Sequence, residues 1–246
     1  MSEPVCVISG VGPGTGSALV RRFAAGGYRV AMLARNAERL AELAKEIPAA
    51  KAYVCDVSDQ SQVDAVMDQV EREMGAPDVL VHNAVGGGWG TFMEIDPAML
   101  NRNFQVNTMG LLYLARRAAP AMIKAGRGAI IVTGNTSAQR GRANFAGFAP
   151  TKAAQRILAQ SLARDLGPKR VHVGYVTIDA AIDAPWLSGG GRTRPPWLEP
   201  PAGWPWSRDE FFARPDAIAD EVFHIAHQHP STWSFDHVIR PFAEKW

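Results

Sequence analysis

The residues most able to do chemistry come early. Gly10-Val-Gly-Pro-Gly14-Thr15-Gly16 follows the apolar run Pro4–Ser9 and opens onto a helical pattern at Ser17–Gly26. Small residues there let backbone N–H groups approach a pyrophosphate unobstructed, while the positive end of the next helix faces the anion. The strand before and the helix after distinguish this turn from a flexible glycine loop. A second pointer ends the next apolar run, at Met32-Leu-Ala34-Arg35-Asn36. A site built for NAD places an Asp or Glu here for the ribose hydroxyls, and Ala34 holds that slot. Arg35 beside it can make a charge-assisted contact with a 2′-phosphate. NADP(H) is therefore the favoured cofactor and NAD(H) the alternative, against the competing reading of Arg35 as a solvated cation at a helix start. His82, at the end of a later apolar run, is either a pH-sensitive contact or, more ordinarily, a histidine bonded to backbone.

Such residues need a frame. From the start, short β-rich runs alternate with helical patterns: Pro4–Ser9, a helix from Thr15, Tyr28–Leu33, a helix from Asn36, Lys51–Val54, a helix Ser58–Met74, Asp78–His82, a long helix through Asn107 to Lys124, and Ala129–Thr133. A helix Pro150–Leu166, a strand Val171–Val176, a helix Pro215–His227 and a last short strand near His237–Ile239 follow. Regular alternation predicts an α/β doubly wound parallel sheet of about seven strands, three layers thick, in a single domain. In the third helix Val63, Val66, Met67, Val70 and Met74 make one apolar stripe, with Ser58 as the expected cap and Gly75 as the stop.

Totals narrow the function classes. With 47% hydrophobic and 20% charged residues the composition suits a soluble globular domain, and a net charge of +2 without basic clusters argues against nucleic acid as partner. The apolar start Val5–Ile8 is too short for a signal or membrane segment, so no membrane association is expected. Cys6 and Cys55 lie in separate apolar runs without metal-site or redox spacing, which points to buried free thiols, no bound metal and a cytoplasmic protein.

Taken together, the glycine turn, Asp56-Val57, Asn83-Ala84 and Asn107, at their intervals, resemble the short-chain dehydrogenase/reductases over nearly the whole chain. The resemblance implies a Rossmann fold binding a nicotinamide dinucleotide, with Gly10, Gly14, Gly16, Asp56, Val57, Asn83 and Ala84 shaping the site for adenine and the sugar phosphates. A helix cap is the competing reading of Asp56, and a turn residue that of Asn83. In the family a Tyr in a YxxxK motif exchanges a proton with the substrate oxygen, assisted by an upstream Ser and an Asn on the long helix. Here Lys152 remains, Phe148 holds the Tyr position and Asn135 the Ser position; the wider enoyl-reductase spacing fails too, because it falls on Phe145. Lysine in such a site holds the nicotinamide ribose and lowers the phenol pKa, and Lys152 has no phenol to tune. Losing a general acid costs roughly 10²–10⁴-fold in rate. Asn135 can still donate to a developing oxyanion, Thr136 or Ser137 can supply a hydroxyl, and water held by Asn107 and Lys152 is another proton carrier. Ile182 offers its backbone to the carboxamide, while the following Thr slot holds Ala184.

Trp186, Trp197, Trp204 and Trp206, interspersed with prolines, occupy 184–212, where the family carries its substrate loop; Trp89 is placed to line the same cleft. An apolar or aromatic small molecule fits, with aromatic packing against a neighbouring subunit as the competing reading. Two functions follow: an oxidoreductase acting on a carbonyl, alcohol or conjugated enone with altered proton delivery, or a catalytically silent cofactor-binding sensor or partner subunit. A homo-oligomer, dimer or tetramer, is implied through the helices Asn107–Lys124 and Pro150–Leu166.

Overall fold

The computed structural model describes residues 3–183, 203 and 208–243. Its strands are β1 Val5–Ser9, β2 Arg29–Ala34, β3 Ala50–Val54, β4 Val79–His82, β5 Ala129–Asn135, β6 His172–Ile178 and β7 Asp236–Ile239. They form one sheet in the order β3-β2-β1-β4-β5-β6-β7, and every pairing is parallel. The longer helices are α1 Thr15–Ala25, α2 Ala37–Glu46, α3 Gln60–Met74, α4 Pro97–Phe104, α5 Gly110–Ala125, α6 Ala149–Leu166 and α7 Pro215–Ala226. The doubly wound architecture expected from the alternation is thus present. The tryptophan-rich expectation for 184–212 falls almost wholly outside the described residues, as does Ala184.

Central strands read as unbroken apolar runs because both faces are covered, and every residue of β1 and β4 is buried. Alternate side chains feed two cores. Val7, Leu33, Leu80 and Ile130 meet the helices α3, α5 and α6, while Cys6, Ile8, Val81 and Ile131 meet α1, α2 and α7. The edge strand β7 alternates half-buried and exposed positions instead. Both cysteines are buried and free. No helix among the described residues is long and apolar enough to cross a membrane.

Local boundaries differ from expectation in two places that matter. Helix α3 buries the predicted stripe of five side chains, each contributing about 1.5–3 kcal/mol, but Ser58 does not cap it. Asp59 does, its Oδ1 accepting from the backbone N–H of Ser61 and Gln62, while Ser58 donates from both its N–H and its hydroxyl to Asp56. A carboxylate satisfies two orphan donors of the first turn where a hydroxyl satisfies one less strongly. The second difference is the long helix. It begins earlier, at Pro97 with Asp96 as cap, and its ladder shifts to π geometry over Gln105–Met109 before α5 resumes. A π turn bulges one residue outward and is common where a side chain must be aimed at a site; here it contains Asn107.

Candidate active site

In this topology β1 has β2 on one side and β4 on the other, so the connections leave in opposite directions and open a crevice beyond the carboxyl ends of the strands. Nearly every residue singled out in the sequence lies along that edge.

The glycine turn is shaped by close approach. Gly10 sits at φ +77°, and a Cβ there would come within 2.4 Å of the Ala84 backbone; one at Gly16 would lie 2.5 Å from the Gly10 carbonyl oxygen. These two glycines draw the turn onto the end of β4 and the start of α1 onto the turn. Gly14 is the N-cap of α1, with no side chain satisfying the first N–H groups. Thr15 begins the helix, buried. Asn83 fastens the arrangement: its Nδ2 donates to the Gly10 carbonyl at 2.9 Å, and its Oδ1 accepts from the Thr133 hydroxyl at 3.1 Å. Asp56, at the end of the β3 connection, closes a turn through Ser58 and caps no helix; Val57 beside it is buried. Arg35 stands exposed at the end of β2, and neighbouring Asn36 caps α2.

Beneath the turn, buried polar groups close into a ring. Lys152 Nζ donates to the Thr133 carbonyl at 3.0 Å and to the Gln155 side-chain oxygen. The Gln155 Nε2 donates to the Asn107 carbonyl at 2.8 Å, which also lies 3.3 Å from His82 Nε2. His82 Nδ1 is 3.0 Å from the Ser9 hydroxyl, one residue from Gly10, where Asn83 completes the circuit. A carbonyl only accepts, so His82 carries its proton on Nε2 and accepts from Ser9. The imidazole is neutral: burial first, then the nearby Lys152 charge, holds the His82 pKa down to about 3. Of the two readings of His82, the backbone-bonded one is therefore realised. Burial alone lowers the Lys152 amine to about 7.

The π turn sets the Asn107 side chain between Gly86 and Thr151. Its side-chain Oδ1 accepts from Gly86 N–H at 2.8 Å, and its Nδ2 donates to the Gly86 carbonyl and to the Thr151 hydroxyl. The Gln155 amide spans Asn107 and Lys152, the two groups expected to share a water. Nothing had marked Gln155 in the sequence, although a glutamine one turn after a lysine on a helix's inward face must find partners once buried.

Phe148 lies just before α6 and is buried, its ring meeting Trp89 edge-on at 5.4 Å; Phe145 meets the same indole at 4.6 Å. Gly90 N–H bonds the Asn144 carbonyl at 3.0 Å, which pins the Trp89 loop across these rings. Pro150 sits in the first turn of α6, where its missing N–H has no intrahelical partner. Asn135, at the end of β5, uses its oxygen to accept from Ser137 N–H and one amide hydrogen toward the Ile178 carbonyl at 3.3 Å, which leaves its second amide hydrogen. None of the four tyrosines takes the position of the phenol: Tyr28 pairs with His227, Tyr53 with Glu73, Tyr113 packs from α5 against the core, and Tyr175 is sealed beneath Gly134. Ile182 bridges Ala213 through the flanking groups of Ala181 and Asp183, so its own N–H and C=O take no part in that bridge.

Comparisons with known proteins agree with this geometry. The family model described as short chain dehydrogenase matches residues 4–181. The 7alpha-hydroxysteroid dehydrogenase of Escherichia coli K12 is 30% identical over 180 residues, covering 72% of this chain and 70% of that protein. Sorbitol dehydrogenase of Cereibacter sphaeroides is 34% identical over 172 residues, covering 69% and 67%. Among solved structures, a metagenomic short-chain oxidoreductase in complex with NADP superposes with a TM-score of 0.80 at 28% identity over 99% of both chains. A short-chain dehydrogenase from Rhodopseudomonas palustris gives 0.79 at 26% identity over 97% and 99%.

Proposed function

This chain belongs to the short-chain dehydrogenase family, and from that premise we propose that it is an NADP(H)-linked oxidoreductase acting on a small apolar or aromatic carbonyl, alcohol or conjugated enone. The observation that carries the cofactor reading is a pair of unsatisfied features at one edge: the uncapped N-terminus of α1 above a turn that a Cβ at Gly10 or Gly16 would fill, and the exposed Arg35 guanidinium beyond Ala34. A dinucleotide fits these. Its pyrophosphate would lie on the backbone N–H groups around Gly14, Thr15 and Gly16 and its 2′-phosphate at Arg35. Asp56 and Val57 would border the adenine, Asn83 and Ala84 the sugar, Lys152 the nicotinamide ribose, and Ile182 would offer its free backbone to the carboxamide. When bound, the cofactor supplies or accepts a hydride. The NADP complex of the metagenomic relative supports the phosphorylated form.

The protein's own contribution is shape and polarity around the reacting centre. Trp89, Phe145 and Phe148 form an aromatic wall suited to a flat apolar substrate. The spare amide hydrogen of Asn135 is a donor for oxygen on which negative charge develops. The relatives' names range from a hydroxysteroid to sorbitol, so the wall and not the kinship selects the substrate class. We also propose self-association, as a dimer or tetramer, through α4, α5 and α6, which leave Phe104, Ile123 and Ile157 exposed.

A second reading, a silent cofactor-binding sensor or partner subunit, is favoured by the loss of both hydroxyls at Phe148 and Asn135. The test is to titrate NADPH and NADH by fluorescence and then follow NADPH oxidation against carbonyl and enone panels, comparing the wild type with the Phe148→Tyr/Asn135→Ser double variant. Wild-type turnover of a flat apolar carbonyl or enone is expected. Cofactor binding without turnover, with activity gained only in the double variant, selects the silent reading.

A further inference from the structure

Resting on the oxidoreductase reading, we infer that Lys152 is itself the proton donor to the substrate oxygen, and that Gln155 is the positioning residue which aims it. Each other donor at the site is spent or not acidic. Phe148 has no proton to give, His82 holds its single proton against the Asn107 carbonyl, and Asn135, Thr136 and Ser137 are neutral amide or alcohol groups that hydrogen-bond without ionising near neutral pH. Lys152 has three N–H bonds. One is held by the Thr133 carbonyl and one by the Gln155 oxygen, and these two bonds fix the direction of the third, the one assigned to the substrate oxygen.

Gln155 is suited to that task because both ends of its amide are engaged. Its Nε2 is anchored on the Asn107 carbonyl, so its oxygen cannot turn away from the amine. The groups that surround Lys152 are His82 from β4, Thr133 from β5, Asn107 from the π turn and Gln155 from its own helix. Of these only His82 titrates, and it stays neutral down to about pH 3. The amine is therefore tuned by burial, which brings it to about 7, the range in which an acid both carries its proton and releases it readily.

The carbonyl carbon takes a hydride, with its electron pair, from the reduced nicotinamide dinucleotide; the C=O π pair moves onto oxygen; an N–H bond of Lys152 breaks as the O–H bond forms. The neutral amine that remains takes a proton back from solvent before the next turnover. In the oxidative direction the neutral amine is the base.

The test joins two readouts on the full chain. The protonation midpoint of Lys152 is measured by NMR of lysine labelled at Cε and Nζ, without cofactor, and the pH profile of kcat is measured with NADPH and a substrate found in the carbonyl panel. Gln155→Met removes the acceptor that favours the ammonium and lowers the midpoint; Gln155→Glu places a carboxylate beside it and raises the midpoint. The alkaline limb of the reductive kcat profile should move with the midpoint in both variants, in the same direction and by the same amount. Lys152→Arg, which keeps the charge but holds its proton, should lose at least 100-fold in kcat at saturating NADPH while its melting temperature stays near that of wild type. Should Lys152→Arg lose its fold, the two Gln155 variants decide. Turnover whose pH limb ignores the lysine midpoint overturns the proton assignment and leaves the oxidoreductase reading standing. Absence of any wild-type turnover overturns both.

Discussion

Phe148 shows what a single ring can keep and lose. It fills the volume beside Trp89 that a tyrosine would fill, so the wall of the crevice and the start of α6 stay intact while the phenolic proton disappears. On the proposed reading, the neighbouring lysine has no phenol to tune. At the opposite end of the crevice, the proposed discrimination between the two cofactors falls to Arg35. A hydrogen bond to a charged group contributes about 1.5–3 kcal/mol, so Arg35→Ala should weaken NADPH roughly 10- to 150-fold and leave NADH almost unchanged in fluorescence titrations. Equal losses for both cofactors would remove Arg35 from 2′-phosphate recognition. These two positions were legible in the sequence because each is defined by its distance from a recognisable local pattern. Gln155 was not, since its importance depends on which way α6 faces and on what β4 and the π turn bring beneath it.

At the level of elements, the β4 strand carries a titratable group into the interior. His82 is buried with its pKa near 3, against an ordinary 6.5. Between those values the unfolded chain binds a proton that the folded chain refuses, so stability rises with pH and falls as acid is added. The cofactor-free protein should lose about 1.4 kcal/mol of unfolding free energy per pH unit from this group as pH falls from 6 to 4. Urea denaturation of the wild type and of His82→Gln checks it: the difference between their slopes against pH in that window should be about one proton. Equal slopes would mean that His82 accepts a proton in the fold. The strands and longer helices were readable, because apolar runs bounded by Gly and polar residues define them, whereas the short helix Arg208–Phe211 was not. The π turn was hidden, as Gln105–Met109 contains neither Gly nor Pro, and the shift in hydrogen bonding answers to Gly86 and Thr151, which lie far away in sequence. Asp59 displaced Ser58 as cap of α3 for a plainer reason: two acceptors competed within two residues, and the charged one holds two donors.

Across the whole molecule the two faces of the sheet are sealed by helices, and the crevice at the carboxyl ends of the strands gathers the glycine turn, Arg35, Asn83, Asn135 and Lys152. The proposed self-association belongs to this scale as well. Ile157 is 55% exposed on α6, and we expect Ile157→Glu to shift the protein toward monomers in light scattering without altering its circular dichroism. An unchanged mass would move the contact surface elsewhere. The ring of hydrogen bonds from Ser9 through His82, Asn107, Gln155 and Lys152 to Thr133, Asn83 and Gly10 has a consequence for anyone redesigning the protein. Because each member answers to two neighbours, the circuit behaves as a ratchet. Installing a phenol at residue 148 alone leaves the amine still clasped by a carboxamide, and removing that carboxamide alone leaves the buried amine one acceptor short. A return to hydroxyl chemistry must therefore be made in concert, and a library that varies one position at a time is built to miss it.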